Sequence, residues 1–148
     1  MNSVAVADIK KTVCDKNRCW QHGSVSEAGV TASRGSGWCY FLIEKHFRDT
    51  RCVGRDGKMS VMCDAVAVPL QASRKELAFL ELKTSGKYSD AVNQIREGVR
   101  ALLSYGVPAG VALIAEIWHT REPKSTVRTG TFIEVEGRSV FVRQRKSV

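Results

Sequence analysis

Asp64 and the tripeptide Glu81-Leu82-Lys83 carry the side-chain types that hold a divalent cation beside a phosphodiester. Carboxylates ligate a hard ion, and an ammonium meets the phosphate it polarises. Their spacing lets them share a face. Residues 59–68 are rich in valine and lack helix-capping signals, so they read as a strand; residues 76–83 read as a second. The polar segment 69–75 opens on Pro69 and suits a hairpin connection. A hairpin symmetric about that loop pairs Val68 with Leu77, Val66 with Phe79 and Asp64 with Glu81. Directly opposed residues lie on one face with Cβ atoms roughly 5 Å apart. Lys83, two residues beyond Glu81, returns to the same face. Opposed carboxylates repel unless positive charge sits between them, which a hard cation with oxygen ligands supplies. Glu-x-Lys alone is common on solvated strand ends; an aspartate at hairpin spacing within apolar strands is what singles this one out.

At these residues the chain resembles the PD-(D/E)xK phosphodiesterase superfamily, which includes restriction enzymes, Holliday-junction resolvases and RecB-like nucleases. The family pattern is an Asp, a gap, (Asp/Glu)-x-Lys and then a helix; Asp64, Glu81, Lys83 and the segment 89–105 match it. Cys63 stands where the family often has a proline. The resemblance covers about residues 35–118. It implies an α/β fold of restriction-endonuclease-like type, a mixed central sheet flanked by helices in the order αβββαβ. It also implies a Mg²⁺-dependent DNA endonuclease, with Mn²⁺ able to substitute. Asp64, Glu81 and the Leu82 carbonyl would ligate the ion, and Lys83 would orient water or neutralise the developing charge. A homodimer is expected for cutting both strands of a duplex or a two-fold junction.

The elements that must position these residues can be read separately. Ser89 is an N-cap with Asp90 in the first turn, and Gly106 and Pro108 punctuate the far end. Ala91, Ile95, Val99, Leu102 and Leu103 repeat at helical spacing and define a buried face. RecB-like nucleases carry a Gln on the corresponding helix, so the resemblance makes Gln94 an accessory active-site residue; the alternative is a solvent-facing amide. Lys87, Arg96 and Arg100 lie on or beside this helix and either touch phosphates or are simply solvated. Upstream, residues 38–47 read as a helix with a large apolar face, followed by a short strand near Cys52 and Val53. Downstream, the apolar run 110–118 reads as a strand buried on both faces, reached by a right-handed crossover. Residues 129–136 and 139–143 suggest a closing hairpin turned at Gly137. Many resolvases place a further metal-site glutamate on the first helix. Glu44 is the acid on residues 38–47, near the end of that stretch, whereas Glu27 precedes it in a Gly/Ser-containing segment. His46 reads as a helix-surface residue.

Composition bounds the rest. A chain of 148 residues suits one domain, with 1–33 as an irregular or helical extension, 34–118 as the core, and 119–148 as a basic loop and C-terminal hairpin. No apolar stretch is long enough to span a bilayer and no signal-peptide apolar region is visible, so a cytoplasmic, membrane-independent protein is expected. Five cysteines then argue for reduced thiols. Cys14, Cys19 and His22 could supply three zinc ligands, but a fourth would have to come from Cys39, Cys52 or His46 through the fold. The net charge of +8 is concentrated late in the chain, with Arg121, Lys124 and Arg128 followed by Arg138, Arg143, Arg145 and Lys146. That excess suits a polyanion, with Arg143 and Arg145 as nucleic-acid contacts. No helix-turn-helix or P-loop pattern is present. Besides a structure-directed or junction-resolving endonuclease, two readings stay open: a catalytically silent nucleic-acid-binding module of this fold, and a protein-interaction domain.

Overall fold

The computed structural model describes residues 8–10, 19–49, 62–83, 88–120 and 130–148. Along the chain run β1 (Trp20–His22), β2 (Val25–Glu27), β3 (Val30–Ala32), β4 (Trp38–Phe41), α1 (Ile43–Asp49), β5 (Ala65–Pro69), β6 (Glu76–Lys83), α2 (Tyr88–Leu103), β7 (Ala112–His119), β8 (Thr131–Val135) and β9 (Arg138–Lys146). A seven-stranded mixed sheet has the order β1-β4-β5-β6-β7-β9-β8, and β2 pairs with β3 in a small sheet of its own. Among the described residues no helix is long and apolar enough to cross a membrane.

The hairpin that carries the candidate carboxylates adopts the expected register. Val66 opposes Phe79, flanked by the pairs Ala65–Leu80 and Ala67–Ala78. One step further the ladder changes character. The Asp64 amide still donates to the Leu80 carbonyl, at 3.0 Å. The Leu82 amide instead donates to Asp64 Oδ2, at 2.7 Å. Asp64 thus ends the pairing with its side chain, which fixes that carboxylate against β6.

From β6 the chain crosses through α2 to β7, which runs parallel to β6 from Glu76–Ala112 to Lys83–His119. Alternation gives the sheet two working faces. Val66, Val68, Leu77, Phe79, Ile117, Val140 and Val142 pack beneath Ala91, Ile95, Val99 and Leu102 of α2. Ala65, Ala67, Ala78, Leu80, Leu82 and Trp118 face the other way and are covered by Val25, Val30 and Ala32 of the β2–β3 hairpin. The C-terminal hairpin forms as its turn chemistry dictates. Glu136 and Gly137 both take positive φ, 50° and 75°, the pair of values a two-residue primed turn needs. β9 then pairs with β7 in parallel and extends the sheet.

Three expectations fail here. Residues 38–47 are not one helix: Trp38–Phe41 is a strand buried at all four positions, and the helix begins only at Ile43. A run of Trp, Cys, Tyr and Phe flanked by β1 and β5 buries both of its faces, so its apolar residues carry no helical period. Residues 20–32 form three short strands rather than an irregular or helical extension. Ala28 and Gly29, both at positive φ, turn β2 into β3. His46 is 5 % exposed, packed beside the rings of Phe41 and Phe47, not on the surface. The strand expected near Cys52 and Val53, and the start of the strand over 59–68, lie outside the described residues.

The helix and the Asp64 segment are joined at one close contact. The Cys63 amide donates to the Gln94 carbonyl at 2.9 Å, and Gly98, one turn on, faces the Cys63 thiol. A Cβ on Gly98 would lie 2.3 Å from Cys63 Sγ. Alanine gains about 1 kcal/mol of helix propensity over glycine. Here overpacking prevails, because Cys63 is fully buried and its backbone is pinned. Gly98→Ala should therefore lower stability by about 1–3 kcal/mol. A Gly98→Ala/Cys63→Ala double variant should recover much of that loss in thermal unfolding.

Candidate functional site

Asp64, immediately before β5, and Glu81, at the penultimate inward position of β6, meet where the hairpin leaves the sheet. Glu81 is 4 % exposed, and its Oε2 is buried with no hydrogen-bond partner. The Asp64 carboxyl accepts from the Leu82 amide and lies close enough to Glu81 and Glu27 for both to act on its ionisation. Burial is the main force pushing the Asp64 carboxyl up to about 7; the Glu27 hydrogen bond and the Leu82 amide pull it down, while Glu81 adds to the rise. Glu81 is likewise pushed up to about 7, chiefly by burial, against the stabilising hydrogen bond from Asp64 and the positive charge of Lys83; Glu27 and Glu44 add repulsion. Two carboxyls held protonated toward neutrality, one with an orphaned oxygen, form a site in which added positive charge would relieve repulsion.

Beside them opens a cavity of about 300 Å³, lined by Asp64, Glu27 and Glu44 with Gln21, Ser26 and Lys45. Glu27 reaches it from the end of β2. Glu44 reaches it from the first turn of α1, not from a helix end as the sequence suggested, because α1 begins five residues later than expected. Among the described residues, no three His, Cys, Asp or Glu side chains converge as tightly as a metal's ligand set would. Asp64 and Glu81 are the two carboxylates that could hold a cation here, with backbone oxygen, water or substrate completing its shell. Leu82 follows Glu81 on β6, and its amide donates to Asp64 Oδ2.

Lys83 stands half-buried two residues beyond Glu81 and close enough to act on its ionisation. Gln94 lies on the α2 turn that contacts Cys63, and its Oε1 is buried without a partner. The structure thus brings Asp64, Glu81, Lys83 and Gln94 to one end of the sheet. The basic residues are placed differently. Arg96 donates to the Glu134 carbonyl at 2.7 Å, and Arg100 pairs with Glu97 and Glu136, tying α2 to the C-terminal hairpin. Arg143 and Arg145 lie on the opposite face of the sheet, bound to Glu116 at 2.5 and 3.1 Å. Lys87, like the basic loop containing Arg121, Lys124 and Arg128, lies outside the described residues.

Glu116 is the polar group sequence reasoning passed over. It interrupts the apolar run of β7, is fully buried, and also pairs with Arg34 at 2.7 Å. Burial alone would raise its pKa; the charges of Arg34 and Arg143 outweigh that and hold it below the usual carboxylate range. Arg34 follows β3, and its guanidinium lies over Trp38. The Thr31 amide also donates to Ser147 Oγ at 2.8 Å. These contacts fasten the β2–β3 hairpin, and with it Glu27, to the sheet.

Of the cysteine cluster, His22 and Cys39 are register partners, with Sγ 3.6 Å from Nδ1. Burial raises the Cys39 thiol, against the opposing pull of the Tyr40 amide. Cys14 and Cys52 lie outside the described residues. No family model, curated protein sequence or solved structure matches this chain.

Proposed function

We propose that this protein is a metal-dependent endodeoxyribonuclease with a restriction-endonuclease-like core. The observation that carries the reading is the proximity of Asp64 to Glu81, whose buried Oε2 has no partner, two residues before Lys83 at the end of β6. The succession of antiparallel hairpin, crossover helix and parallel strand from β5 to β7 supports the fold assignment. Asp64 and Glu81 would hold Mg²⁺, with the Leu82 carbonyl as a further oxygen; Mn²⁺ could replace it. Bound there, the ion supplies Lewis-acid polarisation of the phosphate and a bound water of lowered pKa. Lys83 orients the attacking water and offsets the charge that develops on the phosphate oxygens. Gln94 presents an unpartnered amide oxygen near Asp64 and positions the nucleophile. The net charge of +8 favours a polyanionic substrate.

The test is a panel of linear, nicked, single-stranded and four-way-junction DNA with Mg²⁺ or Mn²⁺. Wild type should cut at least one form and stop in a chelator. Lys83→Ala should lower the rate by about 10²-fold or more. Cleavage unchanged in that variant sinks the proposal; metal-independent binding without cleavage would favour a silent DNA-binding module.

A further inference from the structure

Three parallel strands, β6, β7 and β9, finish together. Their pairing runs in register to Lys83 beside His119 and His119 beside Lys146. Neighbouring strands lie about 4.8 Å apart, so residues in register make a row roughly 10 Å long. Alternation fixes the face of that row. Phe79, Ile117 and Val142 lie even numbers of residues before the three positions and all pack beneath α2. Glu81 shares this face one step before Lys83, and Asp64 lies just beyond the last hairpin pair, Ala65–Leu80, with its Oδ2 accepting from the Leu82 amide. Two consecutive ranks result: carboxylates in one, then lysine, histidine and lysine in the next.

The second rank is rich in donors. Lys83 and His119 are half-buried and Lys146 is exposed, so the row grades from interior to solvent. His119 Nε2 is buried with no hydrogen-bond partner. The Ser147 amide donates to the His119 carbonyl at 2.6 Å, which pins the end of β9 against β7 and holds the register. Carboxyl ends of parallel strands are where open α/β sheets take their ligands. An anion lying across the row would meet two ammonium groups and the unpartnered Nε2 of His119.

We propose that Lys83, His119 and Lys146 form a phosphate-binding row that takes the backbone oxyanions of nucleic acid flanking the scissile bond. The assignment rests on the nuclease reading and deepens it: His119 and Lys146 contact substrate, and the row sets the path of the strand across the sheet end from the metal carboxylates toward β9.

Anisotropy of a short labelled DNA duplex, measured with Ca²⁺ in place of Mg²⁺, separates binding from cleavage. His119→Ala and Lys146→Gln should each weaken binding about five- to tenfold, and Lys146→Gln should reduce the slope of log affinity against log salt by roughly one. Thermal melts keep folding separate, and the exposed position of Lys146 makes Lys146→Gln the variant least prone to a folding defect. If wild type binds and cleaves while both variants bind as wild type does, the row is overturned and the nuclease reading stands. Variants that bind normally but cleave poorly also overturn it, since they place these residues in the chemistry alone. If wild type neither binds nor cleaves any form, both proposals fall together.

Discussion

Glu81→Gln should abolish Mg²⁺-dependent cleavage while making the metal-free protein more stable at neutral pH. Unfolded, Asp64 and Glu81 ionise near 3.8 and 4.5; folded, each is raised to about 7. Between those limits the folded state keeps protons that the unfolded state releases. Their contribution is therefore fully present below about pH 4, falls as pH rises toward 7, and levels off above it. The amide is neutral throughout and cannot lose this contribution. In urea titrations at pH 7 without divalent ions, Glu81→Gln should exceed wild type by on the order of 2 kcal/mol, and the gap should close near pH 4. Subtracting the two curves cancels titrating groups away from the site, including Glu116 with its opposite shift, and leaves Glu81 together with its coupling to Asp64. Adding Mg²⁺ or Ca²⁺ should stabilise wild type at pH 7 and leave the variant nearly unmoved, because only the wild-type site gains a ligand. A variant less stable than wild type at every pH would show that Glu81 is a structural carboxylate and not a cation site.

Glu116→Ala is expected to be the most damaging substitution for stability. It removes a fully buried carboxylate that serves three guanidiniums, with Arg34 only 11 % exposed. Breaking one side of a buried ion pair costs about 3–5 kcal/mol, because the remaining charge stays desolvated. Among the described carboxylates Arg34 then keeps Glu76, at 3.7 Å, while Arg143 and Arg145 can turn to water. The loss should therefore come mainly from the β2–β3 hairpin, and amide exchange there should accelerate more than in the β5–β6 hairpin. Glu116→Gln retains the shape without the charge and should fall between. Equal stability of Glu116→Ala and wild type by chemical denaturation would show the network to be ornamental. An arginine released from Glu116 also gains freedom to meet phosphate, so tighter DNA binding by a destabilised Glu116→Ala would be consistent with this account.

Local chemistry explains why the site-bearing hairpin could be read in advance. Pro69 and the polar loop fix the turn, and the pairing runs in the expected register from Ala67–Ala78 to Ala65–Leu80 without help from the rest of the chain. The same holds for α2, whose apolar spacing matches its buried face, and for β8–β9, turned at Glu136–Gly137. The stretch Trp38–Phe47 misled because a strand buried on both faces and a helix with a wide apolar face are equally hydrophobic. Placing its strand end at Phe41 moved Glu44 to a helix start and turned His46 inward.

Sequence alone singled out the two carboxylates, the lysine and the hairpin that carries them, since the Ala65–Leu80 register depends on contacts within twenty residues of one another. Only the tertiary structure decided what surrounds them. Glu27 reaches Asp64 because a hairpin formed far upstream is clamped to the sheet through Glu116, and Glu116 is ionised because three arginines from distant segments converge on it. His119 and Lys146 join Lys83 because parallel strands align residues 36 and 27 positions apart, a separation no local period encodes.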